Sequence, residues 1–396
     1  MTNLCSKVSE FLRLPNLVIE GYVWYGIYIF VSLKCSVTNQ LILASLPTSH
    51  SSNDRQFLVF PEENYTKILP DHTEALWLSE VLHSIRYPDY RKVNIEREIF
   101  ILREKVIILN CIDFMYGHCL LKLLNSQRHL EDHPEYGLIL IIPKFLRWMV
   151  PDGVGEVWTV DIPLNQGRTY FPSLDKAINE EIKRFSKVTV SEAYSHPSRF
   201  DISCFTRIKK HDFHSSEFRI TFVWREDRLW KASLLSKALK RKLGLFRVAL
   251  FIQRLTLIKF FQEIKKQLPN ADFTVVGLGT SYTFPDWIED YRVDKFSDNT
   301  ESFLCKIYSE SRLVIGVHGS NMLLPSGHAG MTIDLLPTDR LGNFAQDILY
   351  QEQDARIASF RYRFIAEKTP LSQIVDTAVS MIKKYPSFVA SMTQDN

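Results

Sequence analysis

The sequence predicts an α/β protein of two domains, and three observations lead there. The chain has 396 residues, which at roughly 150 residues per domain leaves room for about two and a half. From Phe218 onward, apolar runs of strand length alternate with helix-period segments, the pattern of a parallel sheet covered by helices on both faces. The composition, 45% hydrophobic and 23% charged, supplies material for two cores and excludes a disordered, collagen-like or coiled-coil chain. Forty-eight Lys and Arg against 45 Asp and Glu leave a net charge of +3, which gives no electrostatic case for a nucleic-acid partner. Six cysteines at 5, 35, 111, 119, 204 and 305 form no C-x-x-C pair. That usage predicts a reduced, cytoplasmic chain rather than one stapled by disulfides.

Residues 21–33 (GYVWYGIYIFVSL) are apolar but short of the roughly 20 residues that span a bilayer, and read as a buried strand or hairpin rather than an anchor. Residues 43–54 (LASLPTSHSSND) are turn-rich and read as a loop. Residues 96–110 resemble two strands hinged at Arg103, Glu104 and Lys105, a hairpin. Residues 114–128 have helical spacing, with Leu120, Leu121, Leu123 and Leu124 within two turns. Residues 137–142 (GLILII), ended by Pro143, suit a buried parallel strand, and 156–160 (EVWTV) another. Polar residues cluster between Arg207 and Glu217, which sets the expected division into domains 1–212 and 213–396.

In the second domain the expected strands are 218–224, 272–277, 312–317 and 331–336. Helical material runs to about Gln267, and helices are expected at 300–309, 344–350 and 371–384. Residues 355–364 read as extended.

The sharpest chemical signal is residues 313–336, LVIGVHGSNMLLPSGHAGMTIDLL. An apolar strand ends in Gly316, Val317, His318, Gly319, Ser320 and Asn321, and a short helical turn should come next. Gly319 frees the backbone for positive φ or close approach to a ligand. Ser320 suits an N-cap, and the amides after it would favour a phosphate. Pro325 is expected to stop the helix. Asp334, on the next strand, offers a carboxylate to ribose hydroxyls. The same pattern also serves as a plain βα connection.

This segment resembles the C-terminal motif of the family 61 glycosyltransferases: an apolar strand into G-x-H-G, a short helix, a Pro/Gly loop and a strand bearing an acid. Two weaker islands accompany it. Residues 116–122 (YGHCLLK) resemble the family's aromatic-G-H-x-L-x-acid segment, and 221–225 (TFVWR) the strand that delivers an Arg to the second domain. The resemblance implies two Rossmann-like domains facing a cleft (GT-B type). It implies transfer of a sugar, with inversion and without metal, from a nucleotide-sugar donor to a glycan, glycolipid or other hydroxyl acceptor. No separate cofactor is implied. One departure stands out: Lys122 occupies the place of the family's acid. His118, or Asp113 at the strand-to-helix junction, then becomes the candidate base. Arg225 suits a diphosphate leaving group.

Each residue also has an ordinary structural reading. His118 suits a hydrogen-bonded histidine on a buried turn, and Arg225 a surface pair with Glu226 or Asp227. The Gly277–Gly279 loop, a candidate border of the donor site, resembles a dinucleotide loop but lacks a third glycine and a prompt helix. His129 and His133 share i, i+4 spacing but precede Pro134, which suits a solvated helix end. No D-x-D motif occurs, so helix dipole and basic residues would carry the diphosphate charge. Lys122 also motivates an alternative, a non-catalytic glycan-binding or scaffolding protein of the same fold. A third reading, an oxidoreductase or epimerase built on Gly277 and Gly279, requires a bound nicotinamide. The basic run 237–247 (KALKRKLGLFR) offers either a solvated helix face or a peripheral contact with anionic lipid.

Overall fold

The computed structural model describes residues 2–14, 16–47, 57–68, 76–194, 196–216, 218–230, 245–345, 348–349 and 352–393. Residues 237–244 of the basic run lie outside them. The chain divides into two compact units, Met1–Phe200 and Asp201–Asn396. Residues just after the division side with the second unit: Thr206 Oγ1 lies 3.1 Å from His328 Nε2, and the His211 amide donates to the His328 carbonyl.

The first unit opens with a five-stranded antiparallel meander in chain order: β1 (Leu17–Tyr25), β2 (Tyr28–Cys35), β3 (Leu41–Ser45), β4 (Phe57–Phe60) and β5 (Tyr65–Ile68). Residues 21–33 are the β1–β2 hairpin. The run is apolar because β2 is covered twice. Val31 and Leu33 pack with Leu4 and Val8 of the helix Thr2–Leu12, while Phe30 packs with Leu78 and Val81 of the helix Leu76–Arg86. A strand buried on both faces loses the polar alternation. The expected loop at 43–54 begins as strand, since Leu43 and Ala44 pair with β4.

A second sheet comes next, with strands β6 (Ile95–Ile99), β7 (Lys105–Asn110), β8 (Gly137–Pro143), β9 (Glu156–Val160) and β10 (Lys187–Val190) in the order β10-β7-β8-β9-β6. All pairings are parallel except β6 on β9. The expected 96–110 hairpin is therefore corrected: β6 and β7 are separate strands at opposite sides of β8 and β9. Arg103, Glu104 and Lys105 provide no residue suited to the positive φ of a tight hairpin turn. The largely exposed pattern of β6 fits an edge, whereas β7 is buried beyond Lys105.

The second unit is one six-stranded sheet: β11 (Arg219–Arg225), β12 (Asp272–Leu278), β13 (Ile288–Val293), β14 (Ser311–Val317), β15 (Met331–Leu336) and β16 (Tyr362–Ala366), ordered β13-β12-β11-β14-β15-β16. Every pairing is parallel. The chain lays two strands on one side of β11, then returns to build on the other, a doubly wound α/β arrangement. Phe222 and Trp224 pack with Phe260 and Phe261 of the helix Phe246–Gln267 and with Ile374 and Ala378 of the helix Leu371–Thr393. The helix Asp298–Glu310 contributes nothing to that cluster but meets β11 and β14, and so covers the opposite face.

Two expectations near the C-terminus are corrected. The helix expected at 344–350 is absent among the described residues there; a short 3-10 turn, Thr338–Asn343, comes earlier. Residues 355–364 are not extended throughout, because Ala355–Arg361 is a helix and only then does β16 begin. Asp354 starts it, its side chain accepting the Arg356 amide at 2.8 Å.

Gly277 has a packing reason that the sequence did not disclose. It pairs with Trp224 across β12 and β11 at φ +113°, and an added Cβ would fall 2.1 Å from the Trp224 carbonyl oxygen. Gly277→Ala should cost about 1–3 kcal/mol from backbone strain alone, read as a lowered thermal midpoint. An unchanged midpoint would remove this constraint from the sheet.

Candidate functional site

In the first unit the candidates gather where the chain leaves β7. There the strand order reverses, since β8 lies on one side of β7 and the later β10 on the other. In open α/β sheets such a switch point opens a crevice at the strands' C-terminal ends. Asn110 braces the exit: its Nδ2 donates to the Gly26 carbonyl at 2.8 Å, and its Oδ1 accepts the Ile112 amide. The β1–β2 turn is held in place beside it, the Ile27 amide donating to the Gly167 carbonyl at 2.8 Å.

Asp113 is buried, and both its oxygens are engaged. Oδ1 accepts the Phe114 amide at 2.8 Å and lies 3.2 Å from His118 Nδ1; Oδ2 lies 3.0 Å from Lys122 Nζ. The spacing explains the cluster. His118 and Lys122 are four apart on the helix Tyr116–Leu124, so both side chains reach one face and the same carboxylate. Lys122 is itself 1% exposed and donates a second hydrogen bond to the Ile112 carbonyl at 2.7 Å. Burial alone would raise the Asp113 carboxyl. The Lys122 ammonium and the His118 hydrogen bond more than reverse this, holding it well below the usual carboxylate range. Lys122 is thus the counter-ion of the carboxylate at the strand-to-helix junction before it.

His118 keeps 20% of its side-chain surface exposed, with Nδ1 fixed by an ionised carboxylate. An imidazole so oriented can present its other nitrogen to a proton-bearing substrate atom. Phe114 meets it edge-on at 6.0 Å, and the Arg168 guanidinium stacks on Phe114 at 3.6 Å.

In the second unit the strand order reverses between β11 and β14, and the candidate loops are the two that leave those strands. Arg225 ends β11, and its Nη1 donates to Asn321 Oδ1 at 2.8 Å, joining the loops across the switch point. Arg225 also grips Asp227 with Nε and Nη2, so the expected surface pair is present together with the expected neighbour in the loop. Arg228 lies beyond the sequence-derived set. Its Nη1 donates to the His318 carbonyl, passing over Gly319, where a Cβ would fall 2.3 Å from that nitrogen. Gly319 stands at φ +148°. The sequence signal for Arg228 was its place three residues after Arg225, just past the end of β11.

Several expected roles change. Ser320 is not an N-cap: Gly319 precedes a 3-10 turn, Ser320–Met322, closed by the Met322 amide on the Gly319 carbonyl, with no side-chain cap. Pro325 does not stop the helix; it lies within Leu323–His328, early enough that its missing N–H costs nothing. Gly316 owes its size to Met322, whose sulfur would lie 2.4 Å from an added Cβ. Asp334 is 0% exposed and has no face for a ribose. Its Oδ2 instead lies 2.8 Å from both His318 Nδ1 and the Tyr362 hydroxyl. His318, 2% exposed, therefore anchors the loop from below. Tyr362 had no signal in the sequence. The Gly279 position, like Gly277, is filled by its neighbours, here the Glu226 side chain.

His129 is placed by Ser191, with Nε2 and Oγ 2.6 Å apart, and burial pushes its imidazole down to about 4. His133 sits beside it, exposed. Among the described residues no group of three His, Cys, Asp or Glu side chains is arranged to hold a metal, and no helix is long and apolar enough to cross a membrane.

The buried pair makes a test. Lys122→Met leaves the Asp113 carboxylate without its main counter-ion and should cost about 3–5 kcal/mol at pH 7. Because the folded-state value of Asp113 is depressed, its stabilisation is present above about pH 4 and fades as pH falls toward that value. The gap between wild type and variant in urea unfolding should narrow below about pH 4. A gap independent of pH would show that packing, not charge, is what Lys122 supplies.

No protein-family model and no curated protein matches the sequence. Solved structures with a loose likeness include the GtfA/B complex, at 11% identity and TM-score 0.25, covering 98% of this chain and 77% of that one. TarM matches at 12% and 0.24 with the same coverage. The Glycosylation Associate Protein (Gap123) complex from Streptococcus agalactiae matches at 9% and 0.27, covering 94% of this chain and 77% of that one. The chain is an α/β protein by the order and pairing of its own strands.

Proposed function

We propose that the protein is a glycosyltransferase that moves a sugar from a nucleotide-sugar donor to a hydroxyl acceptor, a glycan or glycolipid. One observation carries the reading. In each unit the candidate polar residues stand at the C-terminal ends of parallel strands, where the strand order reverses: Asp113 and His118 in one, Arg225 and Asn321 in the other.

The first unit takes the acceptor. His118, oriented by Asp113, receives the acceptor's hydroxyl proton as the oxygen bonds to the anomeric carbon. The second unit takes the donor. The bond from that carbon to the nucleoside diphosphate breaks, its electron pair leaves on the diphosphate, and Arg225 and Arg228 offset the charge. Two guanidinium groups, Arg225 and Arg228, stand at the exit of β11, so side-chain charge would hold the phosphates. Gly319, Ser320 and Asn321 complete that wall, with His318 and Asp334 as positioning residues beneath. Inversion comes from a single in-line displacement, as the family 61 resemblance implies. Asp227 shares the donors that a diphosphate would use, and the ligand displaces it.

The reading is tested by thermal stabilisation with nucleoside diphosphates and nucleotide sugars in the presence of a chelator, and then by transfer assays. One nucleotide family should stabilise the protein. His118→Ala should lower kcat by roughly 10²–10⁴ without abolishing nucleotide binding. Arg225→Ala should weaken the nucleotide roughly ten- to hundredfold, and Asp227→Asn should tighten it. Nucleotide binding without turnover of any donor would select the non-catalytic alternative. No stabilisation by any nucleotide would remove the donor site.

A further inference from the structure

The helix Phe246–Gln267 is apolar on two opposite faces. Ala249, Leu250, Leu257, Phe260, Phe261 and Ile264 are buried toward the sheet. On the other side Leu245, Val248, Phe251, Ile252 and Leu255 remain 42–57% exposed. Positions 245, 248, 252 and 255 recur at intervals of three and four, with 251 alongside, so the five side chains form one stripe about three turns long. A surface helix ordinarily turns polar residues to this side, as this one does further on, at Lys259 and Gln262. A stripe of Val, Phe, Ile and Leu facing water marks an interaction surface.

Charge identifies the partner. Between Leu245 and Gln262 the helix carries Arg247, Arg254 and Lys259 and no carboxylate; the first acid is Glu263. Arg247 and Lys259 are exposed with the stripe, while Arg254 turns aside to the Thr283 carbonyl. In a two-fold pairing with a second copy the helix face would meet itself, bringing its cations together with no acid on residues 245–262 to receive them. A nucleic acid would use the cations but not the aliphatic groups. An anionic bilayer uses both: apolar side chains enter the headgroup–acyl boundary and cations meet lipid phosphates.

We propose that this helix face seats the protein on an anionic lipid surface. Phe251, Ile252 and Leu255 insert, and Arg247 and Lys259 lie at headgroup level. The inference is independent of the transferase reading, since it uses none of those residues.

The test is co-sedimentation of the full chain with phosphatidylcholine vesicles, with and without phosphatidylglycerol. Binding is expected to the anionic vesicles only and to weaken as salt is raised. The double variant I252N/L255N should bind at least about tenfold more weakly, with only a small fall in thermal midpoint because both side chains are about half exposed. Leu102→Asn, which removes an exposed apolar group in the other unit, should bind as wild type. Four results would overturn the proposal: no vesicle binding, equal binding to neutral vesicles, undiminished binding by I252N/L255N, or a dimer in solution that the double variant dissociates.

Discussion

Parallel strands all end at the same edge, and most of what matters in this molecule depends on that. A chain that builds a parallel sheet must cross back after every strand, so the loops leaving the strands collect along one side. If it first builds outward in one direction and then in the other, the first strand's exit loop is left between two diverging connections. In the second unit that strand is β11, and its last residue is Arg225. In the first unit it is β7, with Asn110 at its end and Asp113 three residues on. The candidate chemistry of each unit therefore sits where topology leaves room for a ligand.

Both sites use the same device to hold a histidine. A carboxylate taken out of water is costly unless it is paired and hydrogen-bonded. Once that condition is met, it fixes its partners rigidly. Asp113 is satisfied by an ammonium, a backbone amide and an imidazole, and the imidazole retains an exposed edge. Asp334 is enclosed between His318 and Tyr362, so its effect passes through the loop above: the His318 carbonyl receives Arg228, and Gly319 leaves the space for it. The first arrangement orients a group that can meet substrate. The second stiffens the loop that leaves β14.

The substitution of Lys for an expected acid at 122 shows how a departure from a motif can change meaning in three dimensions. In the sequence it removed a carboxylate. In the fold, Lys122 lies one turn beyond His118 on the same helix face and serves a different carboxylate, Asp113. The pair could be anticipated only with the knowledge that the chain turns sharply between Asn110 and Tyr116.

The sequence by itself determined the fold class and the strands of the two sheets' centres. Residues 137–142, 273–277, 313–317 and 331–336 are mostly apolar because they are buried on both faces, and that signal survives the few polar side chains among them, Thr274, Thr332 and Asp334. It also singled out Asp113, His118, Arg225 and Asn321, whose positions next to strand ends are local facts. What it left undecided was pairing. The edge strand β13 is half polar and reads like a loop, and whether two strands adjacent in sequence, such as β6 and β7, form a hairpin depends on partners elsewhere in the chain. The tertiary structure alone decided that Asp334 is enclosed, that Gly277 and Gly316 are small for the sake of Trp224 and Met322, and that Arg228 and Tyr362 contact the candidate residues His318 and Asp334. Each of these depends on contacts between residues far apart in sequence, and such contacts are fixed only by the order in which the strands are laid side by side.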